Sequence, residues 1–326
     1  MFSLPKHYDN LCLAALPVDA SFLAIAQIYQ QQQNDLLYIA LNDQHAEITS
    51  QQLKFFLPNT EIITLPAWAC LPYDRISPNH NIISERLRAL SKITKHQQQQ
   101  KIIITTVNAA MLKILPQEII AQNTIILRDG KKISMELLNK FLIKNSYVRR
   151  DTVNEPGEFA IKGSIVDIYT TSNENPIRID FFGDEIDNIR EFDPIIQVSN
   201  KKITECHLIP AGEVILNDEN IKNFREQYRK TFGVPKKDDQ LYEAFSEERQ
   251  YVGMEHWLPL FYEHVADIFS YMPEALIICE HLTDNAALER DKTIKDYYKN
   301  RQQEEQNHNI YNPIAPELLY LSATAL

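Results

Sequence analysis

The stretch RIDFFGDEID, residues 178–187, places charged side chains beside two phenylalanines. Successive side chains of an extended strand point to opposite faces, so Arg178, Asp180 and Phe182 form one row and the residues between them form the other. The intervening row is apolar and predicts a core face. An arginine, a carboxylate and a bare ring on the other row indicate either local packing or an anchor for a protein partner.

The turn that follows this stretch is acidic. Gly183 stands at a tight hairpin position that requires positive φ. Asp180, Asp184, Glu185 and Asp187 cluster around it. Four carboxylates are able to bind a cation, but we favour a solvated turn that keeps a sheet edge from aggregating.

A phosphate-binding loop is missing from the sequence. The chain has seven glycines and matches neither G-x-x-x-x-G-K-[ST] nor G-x-G-x-x-G. PVDASF, residues 17–22, stands where such a loop would lie, after a first strand and before the first helix. Without glycines and a lysine the backbone cannot wrap a triphosphate, so we expect no ATP hydrolysis and no bound cofactor.

Metal and disulfide chemistry are not indicated either. The nine histidines form no ligand pattern: Glu255, His256 and His264 match no H-E-x-x-H, and we expect surface or capping histidines. The four cysteines lie far apart without a C-x-x-C pair, which favours a reduced cytoplasm; they are Cys12, Cys70, Cys206 and Cys279.

Composition limits the function classes. A chain of 326 residues with 44% hydrophobic and 24% charged residues is long enough for two or three domains. Its net charge of −11 would repel a nucleic-acid backbone, so we expect no strong DNA binding by this segment alone. We find neither a signal-peptide pattern nor an apolar window of membrane-spanning length.

Hydrophobic periodicity predicts two different patterns of secondary structure along the chain. The first part of the chain alternates helices and strands, which implies a parallel sheet covered by helices. The pattern predicts a helix capped by Asp19 or Ser21, strands at Leu36–Leu41 and Glu61–Leu65, and a strand running into a helix over 101–116. From about residue 124 the pattern changes to a helix, Met135–Lys144, and a strand meander over 157–193. Helical periodicity returns near 210, with a short strand at 275–279.

The charged, Gln/Asn-rich stretch DKTIKDYYKNRQQEEQNHNIYN that follows favours a solvated helix or a linker. This order predicts one domain interrupted by an inserted one.

Two segments carry a family resemblance. Residues 65–90 fit W-x-x-L-P-Y-D-x-x-S-P-x-x-x-I-I-S-x-R-L, and residues 157–193 contain G-E-[FY]-A-x-[RK]-G-x-x-[LVI]-D-[LVI]-[FY]. The first pattern resembles the N-terminal part of the bacterial transcription-repair coupling factor family (Mfd), and the second is shared with the excision-repair helicase UvrB. The similarity extends from about residue 10 to near the C-terminus.

The resemblance implies an α/β fold: a degenerate helicase-type (P-loop NTPase-like) domain in two segments, 1–123 and 210–326, with an inserted α+β domain, 124–209, that binds UvrA. It implies a non-enzymatic, monomeric fragment of a longer cytoplasmic protein that recruits UvrA to stalled RNA polymerase. RNA polymerase, DNA, and ATP with Mg²⁺ would bind to regions outside this chain. Alternatives are an ATP-dependent UvrB-type helicase and an autoinhibitory module that docks on the protein's own C-terminal domain.

Site residues follow from the resemblance by position. The family's UvrA-binding residues fall on Lys162, Arg178 and Phe182, and Asp180 lies between the last two. The family usually has arginine at the first position, and lysine keeps the charge but loses the planar fork that binds carboxylates. The alternatives are a plain surface charge at Lys162, a bridge from Arg178 to Asp180, and a Phe182 ring folded against the turn.

The first motif has a structural interpretation. Because the nucleotide that this region would serve is not expected, we predict that its distinctive residues maintain the fold; they are Trp68, Tyr73, Asp74 and Arg86.

Overall fold

The computed structural model describes residues 11–13, 16–94, 100–237, 239–305 and 311–326. The first part of the chain forms α1 (Val18–Gln31), β1 (Leu36–Ala40), α2 (Asp43–Phe56), β2 (Glu61–Leu65), α3 (His80–Thr94), β3 (Lys101–Thr106), α4 (Val107–Ala110) and α5 (Gln117–Gln122). The middle part forms β4 (Ile125–Arg128), α6 (Met135–Lys144), β5 (Val148–Arg149), β6 (Glu158–Lys162), β7 (Ile165–Ile168), β8 (Ile177–Phe182), β9 (Glu185–Phe192), β10 (Ser199–Ile203) and β11 (Glu205–Leu208). The last part forms α7 (Asp218–Phe232), α8 (Gln240–Ser246), a 3₁₀ helix (Met254–Leu260), α9 (Ile268–Tyr271), β12 (Leu276–Cys279), α10 (Thr283–Glu305), α11 (Pro316–Leu319) and a second 3₁₀ helix (Ala323–Ala325).

A four-stranded parallel sheet forms the centre of what we call the α/β body, in the order β12-β1-β3-β2. Every residue of β1 is buried, as expected of a central strand covered by helices on both faces. Leu37 and Ile39 pack into one hydrophobic cluster, and Leu36 and Tyr38 into another on the opposite face. The β12 strand pairs with β1 in parallel, so the end of the chain completes a sheet that its beginning starts.

The middle of the chain forms a six-stranded sheet in the order β10-β9-β8-β7-β6-β5, antiparallel except for β5 with β6. Helix α6 covers one face through Leu138 and Leu142, which pack with Phe159 and Ile179. A two-stranded antiparallel ladder joins β4 to β11, so residues 125–128 lie beside 205–208. We call residues 125–208 the lobe; its first and last strands are neighbours.

The lobe and the body are in direct contact. Arg88 of α3 donates from Nε to the Thr171 carbonyl oxygen at 2.9 Å. Ser146, at φ 67°, donates from Oγ to the Val214 carbonyl oxygen at 2.9 Å. A Cβ atom on Gly212 would lie 2.7 Å from the Ser146 Cβ, so only glycine fits this close approach.

Several predicted elements are confirmed and others are corrected. The predicted bounds of β2 and α6 match those observed. Helix α1 begins after Pro17, so neither Asp19 nor Ser21 caps it. The strand expected before residue 17 is not present at residues 11–13 and 16, and residues 1–10 and 14–15 lie outside the described residues. Within the described ranges, no helix is both long and apolar enough to cross a membrane.

Candidate functional site

The face of the antiparallel sheet opposite α6 carries all four residues predicted for partner binding. Alternation along β8 buries Ile179 and Phe181 and turns Arg178, Asp180 and Phe182 to this face. Lys162 pairs with Ile165, which pairs with Asp180, so these three lie on one line across the sheet. At about 4.8 Å between strands, Lys162 and Asp180 are roughly 10 Å apart. We call this surface, with Lys162, Arg178, Asp180 and Phe182, the outer face.

Phe182 is the exposed aromatic of the outer face. Its side chain is 84% exposed, whereas that of Phe181 is 6% exposed. The ladder register shifts between Asp180 and Phe181, and Gly183 turns the chain at φ 62°. The ring therefore does not fold back against the turn, and nothing in the described chain covers it.

Arg178 is held by the neighbouring strand and by the loop that follows β9. Its Nε and Nη2 atoms donate to the two carboxylate oxygens of Asp167 at 2.7 and 2.9 Å, and this hydrogen bonding raises the pKa of the Arg178 guanidinium. Its Cζ lies 4.8 Å from the Phe192 ring centroid, and Nη1 donates to the Gln197 carbonyl oxygen at 3.3 Å. The alternative of a bridge from Arg178 to Asp180 is wrong, because the cross-strand register places Asp167 directly opposite Arg178.

Asp180 pairs with Arg190, a residue that sequence reasoning did not single out. Arg190 Nη2 lies 2.5 Å from Asp180 Oδ2, and both side chains remain partly exposed. The Arg190 Nε and Asn188 Oδ1 atoms are buried without a hydrogen-bond partner among the described residues. Strict alternation from the hairpin turn would have placed Arg190 on the core face with Ile186. The register shift that sets Asn188 opposite Asp180 brings Arg190 to the outer face instead.

Lys162 ends β6 beside the turn at Gly163, whose φ is 63°. Its side chain is exposed and makes no ion pair with any residue of the described ranges. The outer face therefore presents one unpaired ammonium group, one free ring and a paired Asp180–Arg190 couple.

A hydrogen-bonded loop after β9 adds exposed aliphatic surface to the lobe. Asp193 Oδ1 accepts hydrogen bonds from the backbone amides of Ile195 and Ile196 at 2.7 and 3.1 Å. Gln197, at φ 60°, donates from its side chain to the Val153 carbonyl oxygen at 3.0 Å. The two isoleucine side chains are 89% and 66% exposed. No sequence signal used above identified this loop.

Of the four residues predicted to maintain the fold, Trp68, Tyr73 and Arg86 are buried as expected of that role, whereas Asp74 is half-buried. Trp68 Nε1 and Arg86 Nε donate to the two carboxylate oxygens of Glu213 at 2.9 and 2.7 Å, and the Arg86 and Glu213 side chains are fully buried. Tyr73 is buried at φ 58°, and Asp74 accepts a hydrogen bond from the next backbone amide. These contacts tie residues 66–86 to the chain where it returns from the lobe.

The expectation of surface or capping histidines is wrong for His256. Its ring is buried edge-on to Trp68 at 5.6 Å between centroids, and burial lowers the pKa of His256 to about 4. Burial also raises the pKa of the adjacent Glu255 carboxyl to about 7. Among the residues described, no group of three His, Cys, Asp or Glu side chains is arranged to hold a metal ion.

One known protein family has a model that matches the lobe. The family model described as "UvrB interaction domain" matches residues 125–213. These residues contain both strands that close the lobe and every residue of the outer face.

Comparison with individual proteins covers most of the chain. It is 34% identical over 305 residues to the transcription-repair-coupling factor of Rickettsia bellii, matching 93% of this chain and 27% of that protein. The coupling factors of Haemophilus influenzae and Escherichia coli are 30% and 31% identical over 96% and 83% of this chain. The chain thus spans about 27% of the length of the first of these relatives.

Proposed function

We propose, on the premise that this chain is homologous to the N-terminal UvrB-like module of the transcription-repair coupling factors, that it recruits UvrA without catalysing a reaction. Its role would be to bring nucleotide excision repair to stalled RNA polymerase. The observation that carries the proposal is the free Phe182 ring on the outer face of the matched lobe.

The outer face has the physical character of a docking surface. Burying a phenylalanine side chain is worth about 1.5–3 kcal/mol relative to leaving it in water, so an exposed ring gains most when a partner covers it. Lys162 offers an unpaired ammonium, and the Asp180–Arg190 couple offers charges of both signs. Aromatic and arginine side chains are enriched among residues that dominate binding energy.

We propose that Arg178 acts by shaping this surface. Its guanidinium is committed to Asp167 on the neighbouring strand and to the loop that follows β9. A partner carboxylate would therefore meet Lys162 and Arg190 before it reached Arg178, whose side chain is 20% exposed.

We propose that residues 1–123 and 210–326 form two segments of one degenerate helicase-type domain, with 124–209 inserted. The parallel pairing of β12 with β1 supports this division, as does the ladder between β4 and β11. The same proposal makes this chain non-enzymatic and free of nucleotide, because the sequence has no glycine-rich phosphate loop.

We propose the other partners from the family resemblance alone. RNA polymerase, DNA, and ATP with Mg²⁺ would be bound by regions of the relatives beyond the part matched here. The same outer face would be masked by another domain of the full-length protein until UvrA is needed. Comparing the UvrA affinity of a full-length relative with that of its matching N-terminal part tests this masking. We also propose a cytoplasmic, monomeric chain.

The test is a binding titration with purified UvrA from the same organism. We expect saturable binding of this chain, weakened by Lys162→Ala. The matched control is Lys144→Ala, which removes an exposed lysine from α6 on the covered side of the sheet. No binding of the unsubstituted chain, or equal losses from both lysine variants, would contradict the proposal.

A further inference from the structure

A cavity of about 360 Å³ lies where the lobe meets the α/β body. Its volume falls within the range of small-molecule sites, about 300–1,000 Å³. Ser77, His80 and Gln250 contribute polar lining, while Pro78, Ile83 and Met254 contribute apolar lining. The cavity therefore combines an apolar wall with a few polar groups, as ligand sites do.

One lining residue is a buried carboxylate that lacks a counter-ion. Glu255 is only 6% exposed, and its Oε2 atom has no hydrogen-bond partner among the described residues. Burial raises the pKa of its carboxyl to about 7, against hydrogen bonds that lower it. A buried charge of this kind is costly unless it is paired.

Glu255 forms no ion pair with any cation of the described residues. Arg86 donates to Glu213 at 2.7 Å and to the Pro66 carbonyl oxygen at 2.6 Å, so it balances Glu213 and leaves Glu255 unmatched. The start of α3, which borders the cavity, is closed by its own chain, since the Asn81 amide donates to Asn79 Oδ1 at 2.8 Å. A positively charged ligand group therefore fits this cavity better than an anion.

We propose that this cavity binds a small organic cation, an ammonium or guanidinium group on a short apolar stem, with Glu255 as its counter-ion. The cationic group pairs with the carboxylate of Glu255, which lines the cavity. The stem packs on Ile83 and Met254. The cation is either a free amine or guanidine, or the side chain of a protein lysine or arginine.

The experiment is calorimetric and NMR titration of the purified chain with butylguanidine and with butylurea, its neutral analogue of the same shape. We expect butylguanidine to bind at least tenfold more tightly than butylurea, and Glu255→Gln to abolish that difference. Glu85→Gln, which removes one exposed carboxylate from α3, should leave the difference unchanged and controls for general attraction to an acidic protein.

A second variant keeps the test decisive if Glu255→Gln fails to fold. Val252 lines the cavity and is exposed, so Val252→Trp should narrow the entrance and weaken butylguanidine binding at least fivefold. Equal affinity for the two probes, an unchanged preference in Glu255→Gln, or full binding by Val252→Trp would overturn the proposal.

A capped Gly-Arg-Gly tripeptide distinguishes the two sources of the cation. Tighter binding of the tripeptide than of butylguanidine assigns the site to a protein side chain. Tighter binding of butylguanidine assigns it to a free small molecule. Both results support a cation site that depends on Glu255.

Discussion

In the α/β body, Arg86 and Glu213 lie 2.7 Å apart with both side chains fully buried, whereas on the outer face of the lobe Arg190 and Asp180 lie 2.5 Å apart and remain partly exposed. The buried pair joins segments separated by 127 residues, so it ties α3 to the chain where it returns from the lobe. The exposed pair lies within one hairpin and adds little to the fold. The same two chemical groups therefore hold the body together in one place and lie on the partly exposed outer face in the other.

The largest effect we expect comes from removing the buried acid. Glu213→Ala leaves the Arg86 guanidinium and the Trp68 indole N–H without their acceptor, which should cost about 3–5 kcal/mol of unfolding free energy. Urea denaturation measures it. The control is Glu247→Ala, which breaks an exposed pair with Arg249 and should change stability by less than about 0.5 kcal/mol. Equal losses from the two variants would show that the burial of the first pair does not matter.

Next in size is the core row of β8. Phe181→Ala removes a ring from the cluster beneath α6 and should cost about 3–5 kcal/mol. Thermal and urea unfolding check this, with Leu137→Ala as the control, because that leucine is exposed on α6. An unchanged melting temperature for Phe181→Ala would mean that the two faces of β8 are assigned the wrong way round.

The third prediction concerns Glu255 and pH. Its folded-state pKa of about 7 lies above its ordinary value of 4.5, so the stability that the neutral carboxyl contributes is complete below pH 4.5 and lost as pH rises through 7. Relative to the unsubstituted chain, Glu255→Gln should gain unfolding free energy between pH 5 and 8, on the order of 3 kcal/mol. His256 titrates in the opposite direction but is present in both proteins, so it cancels in the difference. A difference that stays constant with pH would contradict the prediction.

A smaller effect is expected at Arg178. Arg178→Ala leaves the buried Asp167 carboxylate without its two hydrogen bonds, which should cost about 1–3 kcal/mol. Arg178→Lys should lose less, since it keeps the charge but not the paired geometry. A double-mutant cycle with Asp167→Ala measures the coupling. Zero coupling would show that Arg178 does not hold the outer face in shape.

Hydrophobic periodicity and capping residues predicted the helices and strands well where these sequence patterns were clear. The bounds of α6 follow from a clear apolar period and from Ser134, whose side chain accepts a hydrogen bond from the Leu137 amide. Helix α2 went unassigned because only Ala46 and Leu53 supply its buried apolar face. Pairing of β12 with β1 joins strands some 240 residues apart, and no local pattern encodes such a contact.

For the outer face, the sequence predicted which face of a strand each residue occupies but not the contacts that it makes. Alternation placed Phe182 and Arg178 on one row, and the structure confirms the row. It did not identify the partner of Arg178, because that depends on the register that brings Asp167 opposite it on β7. His256 was misassigned since a histidine in a helical pattern carries no sign of burial until the Trp68 ring is packed against it.

The most direct test of partner docking through the outer face is the UvrA affinity of Phe182→Ala against that of Phe55→Ala. Both rings are exposed, at 84% and 77%, but Phe55 lies on α2 in the body. We expect both variants to melt like the unsubstituted chain, and only Phe182→Ala to lose UvrA affinity, by about 1–4 kcal/mol. Unchanged UvrA affinity in a folded Phe182→Ala protein, or an equal loss in Phe55→Ala, would contradict docking through this face.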